Sequence, residues 1–161
     1  MIEVTMGTAF AVTGAALALA GTGIATAIGV GAAGVSAAGA VAEDKENFKN
    51  AIVFQAMPQT QTIYGFITAL FIIMGAGLLG EGANLSTEAG LVMLGAGLIV
   101  ALTGISAIFQ GQVSAAGIAA SAKNPDAFVP GIVFCGQVET PAIFGFIAAL
   151  IVLVVGLGVL G

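Results

Sequence analysis

Polar interruptions cut this chain into four apolar spans, roughly 5–41, 50–79, 87–122 and 130–160, each longer than the ~20 residues a membrane crossing needs. They predict an all-α integral membrane protein of four transmembrane helices in two hairpins. Composition agrees: 59% of residues are hydrophobic and 7% charged, outside the range of a soluble domain. The N-terminal run MIEVTMGTAFAVTGAALALAG resembles a leader in its small residues but has no basic segment ahead of it, so it is expected to remain as the first helix. No soluble domain is expected before or after the apolar spans.

The connections are AEDKENFKN (42–50), GEGANLSTEAG (80–90) and AKNPDAFVPG (122–131). Lys45, Lys49 and Lys123 all lie in the first and third, which four crossings place on one side of the membrane. The positive-inside rule puts loops 42–50 and 122–131 in the cytoplasm of a cell-membrane protein. Both termini and the loop holding Glu81 and Glu88 then fall on the opposite face.

The chain also repeats itself. FKNAIVFQAMPQTQTIYGFITALFIIMG (48–75) aligns with FVPGIVFCGQVETPAIFGFIAALIVLVVG (128–156), matching Phe48 with Phe128, Phe54 with Phe134, Thr60 with Thr140 and Phe66 with Phe146. VSAAG recurs at 35–39 and 113–117. The expected organisation is a duplicated helical hairpin, 1–80 and 81–161, with both copies in the same orientation, unlike an inverted repeat. Small residues mark the first span (Gly23, Gly31, Gly34, Gly39) and the third (Gly111, Ala115, Ala116, Ala119), and permit close backbone approach. The second and fourth are bulkier and suited to lipid. An inner layer of spans one and three under an outer layer of two and four meets both patterns. A compact four-helix bundle does so too, and composition alone favours it.

Glu139 lies inside the fourth span. A carboxylate at bilayer depth is costly and usually belongs to an ion pathway. Its counterpart in the first repeat is Gln59, so one ion site per four helices is expected. In MPQTQTIY (57–64), Met57, Thr60, Gln61 and Tyr64 share a stripe at helical spacing. Pro58 is expected to kink its helix and strand the carbonyl of Phe54, and Pro141 to do the same to that of Gln137. Gln110 lies mid-span in the third helix, where a bare amide needs a partner. These hard oxygen donors suit a hard cation; a singly charged one, Na⁺, is neutralised by one glutamate. The alternatives are polar residues that only join helices, and H⁺, which needs Glu139 alone.

Other chemistry lacks its residues. No basic patch exists for nucleic acid, no G-x-x-x-x-G-K-[ST] loop for ATP, and no histidine to join Cys135 at a metal. No catalytic site is expected. Cys135 reads as a small helix-packing residue. A small proton-coupled cation exporter and a structural tetraspan remain as rivals of other classes; the absence of tryptophan and the single tyrosine weaken the first.

The segments FQAMPQTQTIYGF (54–66), IFQGQVSAAGI (108–118) and IVFCGQVETPAIFGF (132–146) resemble the K subunit, or proteolipid, of V-type and A-type rotary ATPases, and most closely its bacterial Na⁺-translocating branch. The resemblance covers nearly the whole chain. It implies a closed ring of identical subunits, helices one and three inside and two and four outside, and so displaces the isolated bundle. It implies Na⁺ held by Glu139, Thr60, Gln61, Gln110 and the main-chain oxygen of Met57, with Tyr64 locking Glu139. Implied partners are a stator membrane subunit that supplies an arginine, central-stalk subunits at the cytoplasmic loops, and membrane lipid. Gln59 stands where the family usually has a small residue, a departure expected to add a donor near the site.

Overall fold

The computed structural model describes residues 5–80 and 84–157, and every regular element among them is helical. Helix α1 (Met6–Glu43) is followed by α2 (Phe48–Ala56), α3 (Thr60–Gly75), α4 (Thr87–Thr103), α5 (Ser106–Lys123) and α6 (Phe128–Gly156). Three helical stretches are long and apolar enough to cross a membrane: Met6–Glu43, Thr87–Lys123 and Pro125–Gly156. Glu81 and the ends of the chain lie outside the described residues.

The expected second span is two helices joined by a 3₁₀ turn at Met57–Gln59. Pro58 lacks an N–H, and the chain answers by tightening its pitch rather than leaving a gap. The N–H of Met57 donates to the carbonyl of Phe54, so that carbonyl is not stranded as the sequence led one to expect. Pro141, by contrast, lies inside α6 without ending it. The third span is also tightened, between α4 and α5. The N–H groups of Ala107 and Ile108 donate three residues back, to Gly104 O and Ile105 O, each at 3.0 Å, and Thr103 Oγ1 donates to Ile99 O at 2.8 Å; hydroxyl back-bonding of this kind bends helices.

Helix α1 lies along α4 and α5 in a seam of paired glycines. Gly7 meets Gly90, Gly14 meets Gly97, and Gly29 meets Gly111, backbone against backbone. A Cβ on Gly14 would lie 2.6 Å from the carbonyl oxygen of Met93, closer than atoms pack, so only hydrogen fits. The pairs ascend together, which makes α1 parallel to α4–α5 and brings the turns at 44–47 and 124–127 to one end, with Lys45, Lys49 and Lys123. The glycines singled out by sequence are mostly elsewhere: Gly23, Gly31 and Gly39 have open space where a Cβ would go, while Gly111 belongs to the seam.

Helix α3 packs on α1, and α6 on α4 and α5. One apolar core is built from Ala11, Ala18, Ile72, Met93 and Val100; a second, nearer the lysine-bearing turns, from Ala33, Ala51, Phe54 and Ile118. Phe54 meets Phe128 edge-on at 5.5 Å and lies over Gly117 and Gly131, where its ring occupies the space of the missing side chains. Thr5 and Ser86 cap α1 and α4 by accepting from the N–H groups of Thr8 and Ala89, the usual service of such residues.

Candidate functional site

Between the two cores lies a polar layer where α3, α5 and α6 meet. Glu139 stands eleven residues into α6, about 17 Å along its axis at 1.5 Å per residue. Its carboxylate is partly buried, and its bonds come from neutral groups. Tyr64 Oη donates to Oε1 at 2.7 Å, and Gln110 Nε2 lies 3.4 Å from Oε2. The Tyr64 ring is stacked on Phe146 at 5.2 Å with 17° between planes, and Thr68 Oγ1 donates to the Tyr64 carbonyl at 2.8 Å. The phenol is thus aimed by its own helix and by the residue two turns beyond Glu139.

A chain of amides runs inward from the carboxylate. Gln61 and Gln110 are both fully buried, and a buried amide must be bonded. Gln61 Nε2 donates to Gln110 Oε1 at 2.7 Å and approaches Ser106 Oγ at 3.4 Å. Gln110 Nε2 donates to the carbonyl of Cys135 at 3.2 Å. On the outer side, Thr60 Oγ1 reaches Met57 O at 3.3 Å and Gln61 Oε1 at 3.2 Å. Both are long beside the 2.7–2.8 Å usual for a hydroxyl donor, so this hydroxyl is loosely held. Three oxygens, Met57 O, Thr60 Oγ1 and Gln61 Oε1, therefore gather on the stretch of chain around the 3₁₀ turn. The tighter pitch there turns the Met57 carbonyl toward Thr60.

All the residues predicted for the site lie in this layer, with two qualifications of geometry. The Gln110 oxygen is engaged by Gln61, and its nitrogen is the atom that faces Glu139. Gln59 is exposed and borders a groove against α1 with Thr26 and Thr62, so it does not add a donor to the site. Ser106 and the carbonyl of Cys135 were not picked out by sequence. The first is one serine among many small residues, and the second is a main-chain atom, visible only once α5 and α6 are paired. Cys135 itself is buried, its Sγ 2.9 Å from Ser114 Oγ, in keeping with a packing role. Among the described residues the sole ion pair is the exposed Lys49–Glu46 contact, and no lysine lies near Glu139.

The sequence profile of the ATP synthase C subunit matches residues 13–72 and again 94–152. The chain belongs to the ATP synthase C-subunit family. Over 88% of its length it is 42% identical to the A-type ATP synthase subunit K of Methanocaldococcus jannaschii, covering 60% of that protein. It thus spans less than two thirds of that relative. Against the V-type sodium ATPase subunit K of Enterococcus hirae it is 42% identical, over 88% of each chain. It is 32% identical to the 16 kDa proteolipid of the Homo sapiens V-type proton ATPase, over 88% of this chain and 89% of that one. As a member of this family with three helices of membrane-crossing length, it is a membrane protein.

Proposed function

We propose that this chain is the rotor-ring subunit of a V-type or A-type rotary ATPase and carries Na⁺ across the membrane at Glu139. The observation that carries the reading is a carboxylate at membrane depth whose partners are all neutral, in a chain whose lysines lie in or beside the connections at one end. Such a charge is expensive until a cation joins it. A site with one bound monovalent cation is neutral and can pass lipid; an empty ionised Glu139 cannot do so cheaply. Occupancy and movement are thereby tied together.

The oxygens support a metal cation over a proton. Na⁺ is close in size to Ca²⁺, whose oxygen distances of 2.3–2.6 Å place neighbouring oxygens in an octahedral shell about 3.3–3.7 Å apart. Thr60 Oγ1 stands 3.3 and 3.2 Å from Met57 O and Gln61 Oε1, close to that spacing. The proposed ligands are Glu139, Thr60, Gln61 and the Met57 carbonyl, joined by Gln110 after its amide turns over to present oxygen. Tyr64 holds Glu139 in the loaded orientation.

The fold supports a duplicated hairpin, 1–80 and 81–161, of four membrane-crossing segments, the second interrupted at its 3₁₀ turn. In the ring, α1 and α4–α5 form the inner layer and α2–α3 and α6 the outer. Loops 42–50 and 122–131 face the cytoplasm of a cell-membrane complex and meet the central stalk. An arginine from a stator subunit displaces the ion, since this chain has none, and ATP is hydrolysed on other subunits. One carboxylate per four helices moves few ions per turn, which favours pumping against a steep gradient, at about 2.3 kcal/mol per charge per 100 mV.

The test is the rate at which dicyclohexylcarbodiimide modifies Glu139 across pH, with and without Na⁺. The reagent attacks the protonated carboxyl, so protection by Na⁺ and none by K⁺ is expected. A rate set by pH alone would make H⁺ the cargo and leave Thr60, Gln61 and Gln110 as hydrogen-bonding residues between helices.

A further inference from the structure

Resting on the reading of Glu139 as a Na⁺ site, we infer that Ser106 is a positioning residue for that ion. Its hydroxyl receives the amide N–H groups of Gln61 and Gln110 once the Gln110 amide has turned its oxygen toward the site, and it thereby favours Na⁺ over H⁺ as cargo. Helix α5 begins at Ser106, and side chains four residues apart lie one above the other on a helix face. Ser106, Gln110 and Ser114 form such a row. The first two meet Gln61 of α3, and the third meets Cys135 of α6.

In the arrangement seen, Gln61 Nε2 donates to Gln110 Oε1 at 2.7 Å, and the same nitrogen stands 3.4 Å from Ser106 Oγ. The second distance is long for a hydrogen bond. No other hydrogen bond of the Ser106 hydroxyl is found among the described residues, although the serine is buried. A hydroxyl oxygen can accept two hydrogen bonds, so this one has unused accepting capacity beside the site.

Loading the ion creates the demand for it. With Gln110 Oε1 turned to the cation, Gln110 Nε2 faces Gln61 Nε2, donor against donor. Gln61 cannot answer by turning as well, because its Oε1, 3.2 Å from Thr60 Oγ1, would leave the ligand set. Both amides are fully buried, and a buried N–H without an acceptor is costly. Ser106 Oγ is the acceptor already beside Gln61 Nε2, and it lies one turn from Gln110 on the same helix. The Cys135 carbonyl, which the Gln110 nitrogen leaves, keeps the N–H of Glu139 through the regular bonding of α6. A proton on Glu139 requires no turnover and makes no use of Ser106. The hydroxyl therefore stabilises the Na⁺-loaded arrangement alone, and that difference between states is what shifts a population.

The full chain carrying Ser106→Ala, in membranes, is compared with the unaltered chain for modification of Glu139 by dicyclohexylcarbodiimide. The Na⁺ concentration giving half-protection should rise roughly 5- to 150-fold, the effect of one buried donor left unpaired, while the pH profile of the rate without Na⁺ stays in place. Ser106→Thr, which keeps the hydroxyl, should retain the unaltered half-protection concentration, and Ser106→Val, alike in shape but without the hydroxyl, should follow Ser106→Ala. An unchanged half-protection concentration in Ser106→Ala would overturn the proposal and leave Na⁺ as the cargo. An equal shift of the Na⁺-free pH profile would overturn it too, by showing a general distortion of the site. If the unaltered chain is not protected by Na⁺, the Na⁺ reading falls and this inference with it. Should Ser106→Ala fail to give an intact ring by native mass, the Ser106→Thr and Ser106→Val pair gives the same readout.

Discussion

Replacing Tyr64 with Phe removes one oxygen from the candidate site and little else. The ring keeps its stack on Phe146, 5.2 Å away, and Thr68 keeps its bond to the main chain of residue 64. What is lost is a 2.7 Å bond to the carboxylate of Glu139. A hydrogen bond to a charged group contributes about 1.5–3 kcal/mol, and about 1.4 kcal/mol is a factor of ten in affinity. If the bond is made in the loaded site and broken when Glu139 swings out to release its ion, the apparent Na⁺ dissociation constant should rise roughly 10- to 150-fold. The assay is the Na⁺ concentration giving half-maximal protection of Glu139 from dicyclohexylcarbodiimide, at fixed pH. Ring assembly, read by native mass, should not change. An unaltered half-protection concentration would refute the reasoning, because it would mean that Tyr64 bonds Glu139 equally with and without the ion.

Two further changes probe the scaffold. Gly97→Ala drives a Cβ into the backbone of Gly14, whereas Gly95→Ala meets open space; overpacking costs about 1–3 kcal/mol, so the first should lower the temperature at which the protein loses helicity in mild detergent and the second should not. At the start of α4, Ser86 Oγ accepts from the N–H of Ala89 at 3.2 Å. Losing such a cap costs about 0.5–2 kcal/mol, so Ser86→Ala should speed amide exchange at residues 87–90, read by hydrogen–deuterium exchange.

The length and apolarity of the spans were enough to place α1 and α6 to within about a turn at each end, because a membrane leaves the backbone few choices. Tyr64, Thr60 and Gln61 could be put on one stripe by helical spacing, and Gln110 and Glu139 stood out as polar atoms where none is cheap. The 3₁₀ turn was read as a simple kink, since Pro58 announces a missing donor but not how the neighbouring carbonyl finds another. Choosing the seam glycines was harder. Gly23 and Gly31 look the same in sequence as Gly14 and Gly29, and only the rotation of α1 against α4 and α5 decides which of them faces a backbone. The direction of the Gln110 amide depends on which partner claims its oxygen, a choice made jointly with Gln61 and invisible in either residue alone.

The glycine seam has a mechanical consequence. At the three glycine pairs where α1 meets α4 and α5, the touching surfaces are main chain, with no rotamers to change. Held this way, α1 and the α4–α5 pair move as one stiff unit from the capped ends at Thr5 and Ser86 to the turns at 44–47 and 124–127. Sideways force applied at the depth of Glu139 is then delivered to those turns as displacement, with little lost to elastic repacking along the way.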